Sequence, residues 1–464
     1  MKKIGNQTFE LEKGCFVIGK ASIVGQKEKN GTYKNYFKSN VSDDRMGEKT
    51  FEKGERQMLL IANKSAIKDS KLKTSEIDLY LGGDLMNQII SSNYVAENLQ
   101  VPFVGIYSAC ATITASVGLA SLLIDSGAFA NVLCSTISHF SSAERQYRFP
   151  LEFGNQRQCY SQWTVTGAGA FVLSSKKSNV KIARVCFGRV QDFGVVDIAN
   201  MGAAMAPAAC DTLCNFFADT NTRPEDYDFI ATGDLGKLGS DILRDLIAEK
   251  GYELKQNYSD LGHSIYSFEE ESYQGGSGAG CSASIFASYI IEKIKNGKFK
   301  NVLLVATGAL MSTVSNQQGD SIPGVAHLIE IVKAWKERCF MWMSIWMYVK
   351  VFLVGGVICA LGELIEIKTK ITPARILVIF LMIGAILGGF GIYNYLVEWA
   401  GAGATLPITG FGNALARGAI DGALTNGLFG AIGGGLMATS AGIAVSIGLS
   451  YVFSFFVSSK SKKN

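Results

Sequence analysis

Histidine is scarce in this chain: three residues among 464, His139, His263 and His327. A reaction needing an imidazole base has three candidates and no spare. Cysteine is better supplied, but its usual signatures are missing. Cys15, Cys110, Cys134, Cys159, Cys186, Cys210, Cys214, Cys281, Cys339 and Cys359 form no C-x-x-C pair and no cluster. That excludes a zinc ribbon or a dithiol redox motif and reads as free, mostly buried thiols in a reducing compartment. No metal or cofactor is expected. The formal net charge is +4 and no Lys/Arg stripe follows a helix, so no nucleic-acid partner is expected. The start, Met1-Lys2-Lys3 and then Gly5-Asn6-Gln7, has no apolar h-region. A cleaved secretory signal is not expected, and the soluble part is expected to begin in the cytosol.

The shortage that divides the molecule is one of charge. Residues 1–338 carry 72 charged side chains and residues 341–457 carry nine. The second stretch is rich in Gly, Leu, Ile and Phe, a composition that water does not tolerate as a folded surface. A chain of this length is a prior for about three domains. The reading is 1–175 and 176–332 as two halves of one soluble fold, then 333–464 as a membrane domain with three or four spanning or re-entrant helices. Residues 376–397 are 22 without a charge, enough to cross a hydrocarbon core of ~30 Å. Residues 340–361 form a second span interrupted by Lys350. From Gly422 to Ser459 no charge occurs, and residues 427–435 read as a broken or re-entrant piece. The Gly430-x-x-x-Gly434 spacing permits close helix contact. Lys333, Lys336 and Arg338 before the first span, Lys368, Lys370 and Arg375 in the first loop, and Lys460, Lys462 and Lys463 at the end all favour the cytoplasm. Simple alternation cannot satisfy all three. Arg417 and Asp421, four apart, are expected to pair, with an anion path as the alternative.

The soluble part repeats itself. Ile77-Asp78-Leu79-Tyr80-Leu81-Gly82-Gly83-Asp84-Leu85 returns 150 residues on as Tyr227-Asp228-Phe229-Ile230-Ala231-Thr232-Gly233-Asp234-Leu235. Ala109-Cys110-Ala111-Thr112, a helix ending at Gly127, and Asn131-Val132-Leu133 return 170 residues on as Ala279-Gly280-Cys281-Ser282, Gly297 and Asn301-Val302-Leu303. Both glycines read as helix C-caps. A first strand is predicted over 16–24 and an amphipathic helix over 51–66, and Val302-Leu303-Leu304-Val305-Ala306 has the continuous apolar character of a buried parallel strand. The fold class is α/β: two βαβ-type halves with helices on both sheet faces.

Cys110 sits where a strand over 103–106 gives way to a long helix. Orphan N–H groups and the helix dipole at such a junction favour a thiolate. The alternative is a small buried residue at a tight turn. With the Ile77 run, Thr166-Gly167-Ala168-Gly169-Ala170 and Gly275-Gly276-Ser277-Gly278-Ala279-Gly280-Cys281-Ser282, it resembles the thiolase-fold condensing enzymes, and within them the initiating β-ketoacyl-carrier-protein synthases. That resemblance implies a duplicated thiolase-like fold, Cys110 as nucleophile, and a histidine with a second His or Asn from the second half. Thr232-Gly233-Asp234-Leu235 carries no such histidine, and Gly276-Ser277-Gly278 no asparagine. Asp234 beside a thiolate would oppose its formation. His263, in Leu261-Gly262-His263-Ser264, is the weak substitute; His139 and His327 rank lower. Cys110 thus reads as a degenerate nucleophile in a cavity that binds.

A second resemblance covers about residues 5–330. The run from Ser138 to Glu152, with Gln156-Arg157, Gln162-Trp163-Thr164-Val165-Thr166 and Met311-Ser312-Thr313, resembles the stage V sporulation protein AD family of endospore formers. Leu406-Pro407-Ile408-Thr409-Gly410-Phe411-Gly412-Asn413 and Leu415-Ala416-Arg417-Gly418 resemble the membrane protein AE family of the same operon. The resemblance implies a fusion of the two, and a part in moving dipicolinic acid, alone or as its calcium chelate, into the spore and out at germination. It also implies a spore inner-membrane location and other channel subunits of the same operon type. Thiolase-like domains of this kind form homodimers, and one is expected here. A flat dianion calls for Arg or backbone donors and a wall for the ring. The residues expected to bind it are Cys110, Arg145, Arg148, Arg157, Ser161 and Asp234, the insertion at 139–163 alternatively serving as a dimer contact. The competing readings are a membrane-tethered condensing or acyl-transfer enzyme using Cys110, and a non-catalytic scaffold.

Overall fold

A computed structural model describes residues 1–147, 158–266, 273–334 and 337–454. The chain divides into two compact units, Met1–Trp335 and Lys336–Asn464.

Thirteen strands occur among the described residues of the first unit: β1 Lys2–Ile4, β2 Thr8–Val24, β3 Leu79–Asp84, β4 Phe103–Gly105, β5 Asn131–Ser138, β6 Trp163–Thr164, β7 Gly167–Ser174, β8 Val180–Phe187, β9 Phe229–Thr232, β10 Tyr258–Asp260, β11 Gly276–Ser277, β12 Asn301–Ala309 and β13 Gly324–Lys333. Eleven form one sheet in the order β10-β9-β12-β13-β8-β2-β7-β5-β3-β4, with β1 on β2. Outward from the β2–β8 seam, the order is the same twice: β2-β7-β5-β3-β4 and β8-β13-β12-β9-β10. In each half the two outer pairings are parallel and the two inner ones antiparallel, and the antiparallel seam joins the halves. The sequence echo is therefore an echo of topology, and the soluble unit is a duplicated α/β fold.

Three helical layers cover the strands. Phe51–Ser70 starts at Thr50, whose hydroxyl accepts from the Lys53 N–H, as an N-cap does. It lays Met58, Leu59, Ala62 and Ala66 against Leu133, Ile137 and Val172. On the second half, Met201–Thr220 and Gly236–Glu249 bury Met205, Leu213, Phe216, Leu243 and Ile247 against Leu303, Val305 and Leu328. Between the halves run Thr112–Ser126 and the segment from Ala279 to Lys295, packing Ile113, Val117, Ile124, Ile285, Phe286 and Ile290 with Leu81, Phe171, Leu304 and Ile329. Each fully buried side chain of that size contributes roughly 1.5–3 kcal/mol, so this middle layer ties the halves into one unit. Ala109–Ser126 is apolar enough to cross a membrane, yet 78% of it is buried inside the unit; it is a core helix. Gly127 and Gly297 end their helices at φ 86° and 76°, where glycine alone is unstrained.

The second unit is helical. Trp346–Lys368, within the helix Glu337–Lys368, is long and apolar enough to cross a membrane. The uncharged stretch over 376–397 reads as one straight span but is not one: Pro373–Gly389 and Ile392–Ala400 meet at 103°. Gly391, at φ 74° after Gly388-Gly389, breaks the helix. Ala402–Thr405 follows, then Ile408–Ser454, interrupted at Asn426 and Gly427. Its two arms fold back on each other. A methyl on Gly422 would lie 2.0 Å from the Gly430 carbonyl oxygen, and one on Gly434 2.2 Å from that of Gly418. The Gly430–Gly434 spacing thus meets Gly418–Gly422 in a hairpin that only hydrogen side chains permit.

Candidate functional site

Cys110 lies in a single 3-10 turn, Ala109–Ala111, between β4 and the helix Thr112–Ser126. The turn is strained: Ala109 has φ 47°, costly for a residue with a Cβ. It is held by the Ser108 N–H, which donates to Thr112 Oγ1 at 3.1 Å, and by the Thr112 hydroxyl, which donates to the Ala109 carbonyl at 2.7 Å. β12 presses on it, and a methyl at Gly308 would meet the Ser108 carbonyl oxygen at 2.3 Å.

The second half completes the surroundings. β6 and β11 pair in parallel and bring Ser277 to 3.9 Å from the Cys110 sulfur. Asp234, 1% exposed, accepts from Ser277 Oγ at 2.9 Å, the Gly278 N–H at 3.0 Å and Thr307 Oγ1 at 2.8 Å, and its charge acts on the Cys110 thiol. Burial first, then the Asp234 charge, push the thiol well above its usual range. Burial raises Asp234 as well, against the hydrogen bonds that favour its charged form. The helix N-terminus is outweighed, and the stable species is a protonated thiol.

The other residues singled out by sequence fall elsewhere. His263 is half-buried on Leu261–Ile265; its backbone N–H donates to Asp260 Oδ1 at 2.8 Å, and burial and Lys237 lower the pKa of its ring. It does not line the Cys110 cavity. His327 accepts the Gly188 N–H at Nδ1, so Nε2 carries the proton and faces Ser108 Oγ at 3.4 Å; burial lowers its pKa to about 4. His139 Nε2 donates to the Asp44 carbonyl at 2.9 Å. Arg145 is bound to Glu52 at 3.1 Å, away from Cys110. Ser161 donates to the Gln158 carbonyl, while its neighbour Gln162 reaches the Asp234 carbonyl. Arg148 and Arg157 lie outside the described residues.

Above Cys110 is a cavity of about 50 Å³, lined by Leu85, Tyr107, Glu144, Tyr147, Met201 and Met311 among others. Leu85, Tyr107, Tyr147 and Met311 also border a cleft of about 470 Å³, whose rim adds Asn87, Gln88, Gln146, Ser312 and Thr313. Among the described residues neither is lined by lysine or arginine. The two tyrosine hydroxyls stand 3.4 Å apart, and Tyr147 holds the Leu85 carbonyl at 2.5 Å. Gln88 and Ile89 on the cleft rim have φ 56° and 48°, a strained pair of the kind that gathers at binding sites. Tyr107 is within reach of sequence reasoning, three residues before Cys110. Gln88, Tyr147 and Thr313 come from distant segments with no motif to mark them.

Comparison with known proteins gives a family. Residues 5–332 match the family of stage V sporulation protein AD, and residues 347–456 match the SpoVAC/SpoVAEB sporulation membrane protein family. Stage V sporulation protein AD of Bacillus subtilis (strain 168) is 40% identical over 334 residues, 72% of this chain and 99% of that protein. Stage V sporulation protein AC of the same organism is 38% identical over 85 residues, 17% of this chain and 57% of that protein. Solved structures similar to the chain include 3-oxoacyl-[acyl-carrier-protein] synthase III from Aquifex aeolicus VF5, at 16% identity and TM-score 0.45, covering 69% of this chain and 100% of that one. Cerulenin-bound OleA of Xanthomonas campestris is 12% identical at TM-score 0.46, covering 70% of this chain and 98% of that one. The chain belongs to the stage V sporulation protein AD family and carries a sporulation membrane unit fused behind it. The membrane match is to the joint AC and AEB family, which widens the AE resemblance of the sequence.

Proposed function

From membership of that family, we propose that this chain is a component of the machinery that moves dipicolinic acid across the spore inner membrane, in during sporulation and out at germination. The observation that carries the reading is the covalent union of an AD-family domain with a membrane unit of the AC/AEB family. Two subunits of one sporulation complex are thereby fixed at equal number, with the soluble domain tethered at the bilayer beside other subunits of that complex.

The site chemistry supports binding over reaction. A thiol raised by burial and by the Asp234 charge is a poor nucleophile, and among the described residues no imidazole lines its cavity. The cleft outside offers Tyr107 and Tyr147 as walls for a flat ring and neutral side chains such as Gln88 and Thr313 as partners for its carboxylates. With Glu144 and Asp234 nearby and no described cation on the lining, the site suits the neutral calcium chelate better than the bare dianion. The open edge of β4, with Val104 and Tyr107 half-exposed, supports a homodimer through edge pairing.

Calorimetric titration of the detergent-solubilised full chain with dipicolinate, with and without calcium, tests the reading. Heat saturating at one ligand per chain, stronger with calcium, is expected. No binding at millimolar chelate would remove the ligand role and leave the scaffold.

A further inference from the structure

Between residues 376 and 459 the chain carries three charged side chains, Glu398, Arg417 and Asp421, and Arg417 is the one cation. Thr409, Asn413, Arg417 and Asp421 follow at four-residue steps on the first arm of the hairpin, so they form a single polar stripe along an otherwise apolar helix. Its first two members are packed on Pro373–Gly389. A methyl on Gly384 would lie 1.9 Å from the Thr409 carbonyl oxygen, and one on Gly388 2.4 Å from Asn413 Oδ1. Asn413 is 7% exposed, and among the described residues its Oδ1 has no hydrogen-bond partner.

Arg417 does not pair with Asp421, as their spacing suggests it should; no such ion pair occurs among the described residues. Its Nη1 donates instead to Asn394 Oδ1 at 2.8 Å. Asn394 stands three residues beyond Gly391, on the segment bent away from Pro373–Gly389. The broken helix therefore delivers an amide to the guanidinium, and the break and the charge belong to one site. Arg417 is otherwise exposed on the surface of the unit. Lipid penalises an exposed guanidinium at mid-membrane, so the exposed end of the stripe, Arg417 and Asp421, faces water or a ligand. A guanidinium has five donors in a planar fork, and the bond to Asn394 takes one. The group that matches the remaining fork is a carboxylate, bound through two parallel hydrogen bonds.

We propose that Arg417, oriented by Asn394, is the carboxylate-binding position of an anion path past the exposed end of this stripe, taking one carboxylate of a small dicarboxylate. Asp421, one turn on, repels the second carboxylate and keeps the binding reversible, as passage requires. The identity of the anion as dipicolinate rests on the transport reading above; the site itself does not.

The test is protection of arginine from phenylglyoxal in the full chain held in lipid nanodiscs, read by peptide mass spectrometry, with isophthalate and dipicolinate as probes. At a probe concentration ten times its dissociation constant, labelling of Arg417 slows about tenfold while Arg375 is unaffected. Asn394→Ala, which frees the guanidinium to swing, weakens that protection. Equal labelling of Arg417 with and without either dicarboxylate overturns the proposal. Protection by isophthalate but not by dipicolinate leaves the site standing and removes dipicolinate as its ligand, which counts against the transport reading alone.

Discussion

The two halves of the soluble unit meet one local demand identically and another in different ways. Asp78 accepts the N–H groups of Ala130 and Asn131, and Asp228, 150 residues later, accepts those of Lys300 and Asn301. The same acid holds the same strand start twice. Asp84 and Asp234 are also a repeated pair, but their work has diverged. Asp84 secures the turn after its own strand, accepting from the Met86 N–H and from Ser92 at both N–H and hydroxyl. In the second half the matching turn, at Leu235 and Gly236, is held by Asp260 from the neighbouring strand. That substitution frees Asp234 to face Ser277, Gly278, Thr307 and Cys110. The two halves therefore differ at this position: the acid that holds its own turn in the first half holds Ser277, Gly278 and Thr307 in the second.

Breaking either member of the diverged pair gives the largest effects. Asp84→Ala and Asp234→Ala each strand three buried donors and should each cost about 3 kcal/mol or more, read as a lower urea midpoint. A loss under ~1 kcal/mol at Asp234 would mean that its donors find other partners.

Acidity probes the residue that took over. Burial raises Asp260 to about 7, against hydrogen bonds that favour its charged form. The folded state therefore holds a proton that the unfolded chain releases near pH 4, and stability falls as pH rises through that interval, levelling off above about 7. Glu28, also raised to about 7 by burial, acts in the same direction. Between pH 7 and 5.5, Asp260 should contribute about 2 kcal/mol. The melting midpoint should rise on mild acidification, and Asp260→Asn should flatten the rise. An equal rise in the variant would acquit Asp260.

Neutralising each member of the pair separates function from scaffold. Asp234→Asn removes the charge that helps raise the Cys110 thiol, while burial, the larger cause, remains. Iodoacetamide should label Cys110 faster than in the parent chain; Asp84→Asn should leave the rate unchanged. Equal rates in the two variants would erase the distinction. The smallest effects belong to the pair that stayed alike. Asp78→Ala and Asp228→Ala, both nearer solvent, should each cost about 1 kcal/mol, and to a similar extent. A clear inequality would show that these positions have diverged too.

Much of this is legible in the sequence because it is local. The offsets of 150 and 170 mark the duplicated halves, and the Cys110 turn and the absent second-half histidine follow from short runs of residues. What stays hidden depends on residues far apart. Nothing near Asp234 announces that Asp260 will cap its turn, or that β6 and β11 will bring Ser277 to Cys110. Arg145 reads as a ligand-binding cation, but Glu52, 93 positions away, holds it. In the membrane unit, composition suggests one span over 376–397. A glycine able to take φ 74° turns it through 103° instead, because hydropathy counts apolar residues and does not read backbone conformation.

Cys110 is either a seat for chemistry or the floor of a binding site, and the fold supports the floor. Intact-protein and peptide mass spectrometry of the full chain after incubation with acyl-coenzyme A decides this most directly. Cys110 should remain a free thiol at neutral pH, with no gain in mass. An acyl thioester on Cys110, formed at a rate comparable to turnover in condensing enzymes, would contradict the binding reading and restore the enzyme.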